Sequence, residues 1–179
     1  MTCLKHRVLW LFLLSGAFFV SGCIVAPLKK QDITPSGSLI LHRHSQIVAV
    51  SSSVRQSCEV QIQILQGAII DGINQSGLFA QAVDGGQADY QLDVSLVSIQ
   101  WPTTGFTMSS KVEMVWNLTR VRDGKAVFQD AMLSEYSENV FNTLLGSARS
   151  YAAMRGAIRN NVQEGIERLD KIDFLRRAR

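Results

Sequence analysis

Between Tyr90 and Tyr136 apolar and polar residues alternate through three consecutive runs, and this stretch limits the fold more than any other. Tyr90, Leu92, Val94 and Leu96 alternate with Gln91, Asp93 and Ser95. After Pro102 and Gly105 the same period returns in Phe106, Met108, Val112, Met114, Trp116 and Leu118. A period of two places every second side chain on one face of a strand, so each run has one covered face and one wet face. Arg122-Asp123-Gly124-Lys125 carries the Asp-Gly pair of a two-residue hairpin, whose type I′ turn needs positive φ at both central residues. Val127 to Tyr136 then returns as the next strand, and three long runs joined by short turns pair as an antiparallel meander. Trp116, in the middle run, is expected in the core.

A sheet with one apolar face needs a cover, and two helical stripes supply it. Ser53 and Gln56 fit a capping box, after which Val54, Cys58, Ile62, Leu65, Ile69 and Ile73 recur at helical spacing. Gly77 is placed as a left-handed cap, with Leu78 and Phe79 folding back on the last turn. A second helix is expected from about Ser147 to Ile172, with Tyr151, Met154, Ile158, Val162, Ile166, Leu169 and Ile172 as its stripe. Arg149, Arg155, Arg159, Glu164, Glu167, Arg168 and Lys171 sit elsewhere on its circumference. Leu39 to Val50 reads as a first strand. The order strand-helix-strand-strand-strand-helix gives an α+β two-layer sandwich, a mainly antiparallel sheet of about four strands covered by two helices.

The amino-terminal stretch is of another kind. Lys5 and Arg7 precede an apolar core from Val8 to Val20, which is too short to span a bilayer, and small residues follow. The step Val20-Ser21-Gly22-Cys23 resembles a bacterial lipobox, in which the cysteine is diacylated, becomes the new amino terminus and is acylated again. The resemblance implies a signal peptide over residues 1–22 and lipid attachment at Cys23. Residues 23–38, with Pro27, Lys29, Lys30, Pro35, Ser36 and Gly37 and no sustained period, read as a lipidated tether, and 39–179 as one periplasmic domain. Loss of Lys5 and Arg7 lowers 18 Lys plus Arg to 16 against 15 Asp plus Glu, too balanced for a nucleic-acid footprint. Cys3 leaves with the signal and Cys23 is acylated, so Cys58 has no disulfide partner and the fold must rest on packing.

Chemistry is not legible in the sequence. It contains no G-x-S-x-G elbow, no P-loop, no H-E-x-x-H and no clustered Cys and His. His42 and His44 share a face, but a metal site needs three or four ligands, so no metal and no cofactor are expected. Asp71, Asp89, Asp93 and Glu113 read as solvent-side residues of helix or strand. No catalytic residue is assigned and an enzyme is not expected.

Ser76-Gly77-Leu78-Phe79, Ala88-Asp89-Tyr90-Gln91-Leu92, Trp116-Asn117-Leu118-Thr119 and Gly124-Lys125 resemble a family of uncharacterised lipoproteins of the Gram-negative cell envelope. The amino-terminal domain of the Tol-system propeller protein, the curli-secretion lipoprotein and the lipopolysaccharide-assembly lipoprotein have a similar layout. The resemblance implies a non-catalytic binding or assembly module, anchored in the outer membrane and facing the periplasm. In that family an aspartate after the lipidated cysteine favours inner-membrane retention, and this chain has Ile24 there. An envelope protein is the expected partner, gripped by an open sheet edge or by Trp101 and Phe106 on the turn between strands. Arg155 and Arg159, one turn apart, could address an acidic partner or form a solvated helix face. A carrier of a lipid or small hydrophobic ligand, and less so an envelope enzyme, are the alternatives.

Overall fold

The computed structural model of the protein describes residues 28–35, 45–54, 60–102 and 104–172. Its elements are α1 (Lys30–Ile33), β1 (Ile47–Val54), α2 (Ile62–Ser76), β2 (Gln81–Val83), β3 (Tyr90–Gln100), β4 (Thr107–Arg120), β5 (Lys125–Asn139) and α3 (Gly146–Asp170). The alternating runs form the expected meander: β3 pairs antiparallel with β4 from Tyr90↔Arg120 to Gln100↔Lys111, and β4 with β5 from Arg120↔Lys125 to Thr107↔Asn139. The sheet order is β2-β1-β3-β4-β5. Both helices cover one face, giving the α+β two-layer architecture.

The sheet has five strands rather than four, because β2 is three residues long, too short to show a period. It pairs parallel with the start of β1, whose other side runs parallel to β3 from Val48↔Tyr90 to Val54↔Leu96. The strand β1 also extends past Val50, and the serine run that looked like a cap belongs to it. Ser53 Oγ meets Ser95 Oγ at 2.8 Å across the ladder, and Ser51 Oγ donates to Asp93 Oδ1. Helix α2 therefore begins at Ile62 with Gln61 at its N-cap and no side-chain cap. Gly77 closes it as expected, at φ 70°, with its N–H on Ile73 O at 3.1 Å. Residues 39–44, with His42 and His44, lie outside the described residues, as does Cys58.

The β4–β5 hairpin also departs from the two-residue form. Four residues, 121–124, join the strands, and only Gly124 has positive φ, at 67°. Its N–H bonds Arg120 O at 2.9 Å, and Asp123 stays at negative φ while its carboxylate is held by Arg120. The extra turn gives Arg120 room to close the loop by side-chain bonding.

Part of the expected tether is folded. Leu28 and Ile33 are buried in the core, and α1 packs across α2 and α3. Lys30 Nζ pairs with Asp71 Oδ2 at 2.6 Å. An added Cβ at Gly72 would meet Ile166 and Pro35, so the missing side chain is what lets this segment lie on α2. Two buried apolar residues five apart are too few to show a period, which is why residues 28–35 read as spacer.

The core lies between sheet and helices. Leu92, Val94, Leu96, Val112, Met114, Trp116 and Leu118 meet Leu65, Ile69 and Ile73 of α2 and Met154, Ile158, Val162, Ile166 and Leu169 of α3. Trp116 is fully buried, as its place in the alternation requires. On the opposite face Asp93 and Glu113 bond Ser51 and Ser98, so these acids serve the sheet itself. Among the described residues no helix is long and apolar enough to cross a membrane.

Both long helices start at the same end of the sheet. Strand β1 finishes at Val54 opposite Leu96, near the end of β3, and α2 then returns toward β2, which pairs with the first residues of β1. Strand β5 finishes at Asn139 opposite Thr107, and α3 starts seven residues later. The β3–β4 turn, the β5–α3 loop and the starts of α2 and α3 therefore share one end, called the β3–β4 end.

Candidate functional site

At the β3–β4 end the apolar residues that the core cannot absorb are gathered. Phe106 is 83% exposed, Phe141 93%, Leu144 82% and Leu145 72%. Four large apolar side chains at one loop end are unusual for a surface where such residues normally occur singly. They are held out by backbone chemistry. Asn139 Oδ1 accepts the N–H groups of Phe141 at 3.0 Å and Asn142 at 3.1 Å, an Asx turn that points Phe141 away from the strand. Val140 N–H donates to Phe106 O at 2.9 Å and ties the two loops together.

Arg149 is the clasp of this end. It is buried in the first turn of α3, and its guanidinium donates to Thr143 O at 2.9 Å, Leu144 O at 3.2 Å and Gly105 O at 3.1 Å. A planar cation with fork geometry can serve several carbonyls at once, and here it joins the β3–β4 turn to the β5–α3 loop. Trp101 stands edge-on to Tyr151, ring centroids 5.6 Å apart at 84°, linking the end of β3 to α3.

Trp101 and Phe106, the turn residues singled out from the sequence, lie together at this end, with Trp101 partly covered by Tyr151. Arg155 and Arg159 do not join them. Arg155 Nη1 donates to the carboxylate Oδ2 of Asp32 at 3.1 Å and Arg159 Nε to the Asp32 backbone O at 3.1 Å, so both side chains are engaged by α1 of the same chain, Arg155 through an acidic group and Arg159 through a carbonyl. Cys23 lies outside the described residues. Sequence reasoning passed over Phe141, Leu144 and Leu145, and set Arg149 on the polar circumference of its helix where the structure buries it. The available signal was a charge-free link between strand and helix that carries three large apolar residues, where turn-forming polar residues are the norm.

At the opposite end a depression of about 640 Å³ is lined by Ile47, Gln87, Ala88, Asp89, Gln91 and Val121. Its carboxylate is engaged: Asp89 Oδ2 accepts the Ile47 N–H at 2.9 Å. Among the described residues no group of three or more His, Cys, Asp or Glu is placed to hold a metal ion.

No protein-family model matches the sequence, and no curated protein matches it. Solved structures share the architecture. A Xanthomonas campestris protein of the family DUF330 is 14% identical, with 78% of this chain and 90% of that chain covered at a TM-score of 0.57. The hypothetical protein CT253 of Chlamydia trachomatis is 8% identical, with 72% and 97% covered at a TM-score of 0.52. A candidate lipoprotein of Caulobacter crescentus is 11% identical, with 73% and 92% covered at a TM-score of 0.48. At these identities the first two likenesses concern the fold.

Proposed function

We propose that the protein is a lipid-anchored, non-catalytic binding and assembly module of the bacterial cell envelope. The observation that carries this is the register of basic head, short apolar core and Val20-Ser21-Gly22-Cys23. Acylation at Cys23 is the membrane attachment, and two or three acyl chains hold firmly where one does not, since each buried methylene contributes about 0.8 kcal/mol. Ile24 in place of aspartate directs the protein to the outer membrane, facing the periplasm. A binding role suits an open sheet better than a reaction does. Strand β5 is 15 residues long and pairs only with β4 among the described strands, and Leu133 is 60% exposed on it. A sheet edge that carries no further strand among the described residues, with an apolar contact beside it, can take a strand from an envelope protein.

Cys23→Ser tests the anchor. The variant should lose labelling by radioactive palmitate and accumulate as unprocessed precursor, and equal labelling of both proteins would refute it. Sucrose-gradient fractionation tests the address, with co-migration with inner-membrane markers as the contrary result. A photoreactive residue at Leu133 in intact cells tests the module: one discrete envelope protein captured supports it. No adduct, together with a small molecule co-purifying with the protein, favours the carrier instead.

A further inference from the structure

The packing of α1 limits how far a lipid anchor at Cys23 can stand from the exposed apolar end. Lys30 lies against Gly67, five residues into α2, and Pro35 against Gly72 and Ile166. From Lys30 to Pro35 the chain therefore runs away from the β3–β4 end, and its upstream part, Leu28, points toward that end. Gly67 is only about 7.5 Å from the start of α2 at 1.5 Å per residue. Leu28 is fixed in the core, and Cys23 is five residues before it. Five residues extend at most about 18 Å, so an anchored Cys23 holds the β3–β4 end at the bilayer rather than on a long leash.

That end has the chemistry of a surface that enters lipid. From Trp101 to Ser110 and from Asn139 to Ala148 there is no Asp, Glu, Lys, Arg or His. Arg149, the cation that follows the second stretch, is buried and its Nη1 and Nη2 donate to three backbone carbonyls. Within these two stretches nothing charged has to be stripped of water when Phe106, Phe141, Leu144 and Leu145 leave it, and Trp101 stands behind them as residues of an interfacial belt do.

We propose that the β3–β4 end docks on the lipid surface, with Phe106, Phe141, Leu144 and Leu145 entering the headgroup and acyl boundary beside the acylated Cys23. This rests on the lipid-anchor reading. It fixes the orientation of the domain: the sheet stands on the membrane by its loops, and the hairpin at residues 121–124 projects into the aqueous space.

The test uses the full-length processed protein, purified from membranes and reconstituted into phosphatidylethanolamine and phosphatidylglycerol vesicles with plain or brominated acyl chains. Phe141→Trp and Leu133→Trp each add one indole at an exposed position, the first at the docking end and the second on β5. The added emission of Phe141→Trp should fall by about half in brominated vesicles, since docked loops sink roughly 5–10 Å, while that of Leu133→Trp should not change. No loss at position 141, or equal loss at both, overturns the docking. A dimer formed through a photoreactive residue at Phe141 also overturns it, by giving the face to a second copy. The mass of the amino-terminal peptide separates the two readings: an acylated Cys23 with unquenched Phe141→Trp leaves the anchor standing, and an unacylated Cys23 overturns both.

Discussion

Trp116 and Asn161 close the layer between β4 and α3: the indole Nε1–H donates to Asn161 Oδ1 at 3.2 Å, and both side chains are fully buried. Asn161 Nδ2 in turn donates to Met132 O at 2.8 Å. An amide in an apolar layer is tolerated because its polar atoms are matched, and matching fixes where the helix sits along the sheet.

Asn161→Leu should destabilise the protein by about 1–3 kcal/mol, because the indole N–H and the Met132 carbonyl lose their buried partner. Trp116→Ala should cost about 3–5 kcal/mol through the cavity it leaves. The double variant should cost less than the sum, since the two residues share one interaction. Chemical denaturation of the processed protein measures all three, and an Asn161→Leu midpoint equal to wild type would show that the amide network contributes nothing net.

Two glycines of α3 let the helix approach the sheet. A Cβ at Gly165 would overlap the Trp116 indole, and one at Gly156 the Tyr136 ring, neither of which has a free end to swing away. Gly→Ala in an open helix gains about 0.5–1 kcal/mol from propensity. Here Gly165→Ala and Gly156→Ala should instead lose about 1–3 kcal/mol through overpacking. Melting temperatures that rise in both variants would mean that α3 can lift off the sheet freely.

The meander and both helical stripes were legible because each repeats over ten or more residues, long enough for period two or 3.6 to stand out. What escaped depends on contacts distant in sequence. Ser53 looks like a helix cap until its hydroxyl is placed beside Ser95, and Leu28 and Ile33 look like spacer until α2 and α3 are beneath them. The charge-free end was half visible. Trp101 and Phe106 stood out as turn aromatics, but their company with Phe141, Leu144 and Leu145 follows only from the register that sets Thr107 opposite Asn139. Arg155 and Arg159 gave a charge pattern and no address, because Asp32 is more than a hundred residues away in sequence.

The clasp on α1 makes its own prediction. Wild-type protein should resist trypsin at Lys29 and Lys30, while Arg155→Ala with Arg159→Ala should expose that segment to cutting. The global denaturation midpoint should move by less than about 1 kcal/mol, because the Arg155–Asp32 pair is about 30% exposed on both sides. Ile33→Ala should both open the site and cost about 2–5 kcal/mol, since Ile33 is fully buried. Equal digestion rates in all three proteins would show that Asp32 does not hold the segment.

The Arg120–Asp123 pair predicts how the β4–β5 hairpin responds to acid. Arg120 Nε donates to Asp123 Oδ1 at 3.0 Å and Nη2 to Oδ2 at 2.7 Å, a bidentate fork across a four-residue turn. The Arg120 hydrogen bonds, helped by the Lys125 N–H and opposed by partial desolvation, lower the Asp123 carboxyl pKa to about 2. An unfolded aspartate titrates near 3.9, so the folded value is the depressed one. The stability this pair contributes is therefore fully present above about pH 5 and fades as pH falls through the unfolded value toward the folded one. The stability gap between wild type and Asp123→Asn should be flat from neutrality down to about pH 5 and shrink below about pH 4. Added salt should narrow the gap at neutral pH, because the carboxylate is partly exposed and screened. Carboxyl-resolved NMR titration gives the direct reading: a midpoint for Asp123 close to that of a free aspartate would show that Arg120 does not hold it in solution.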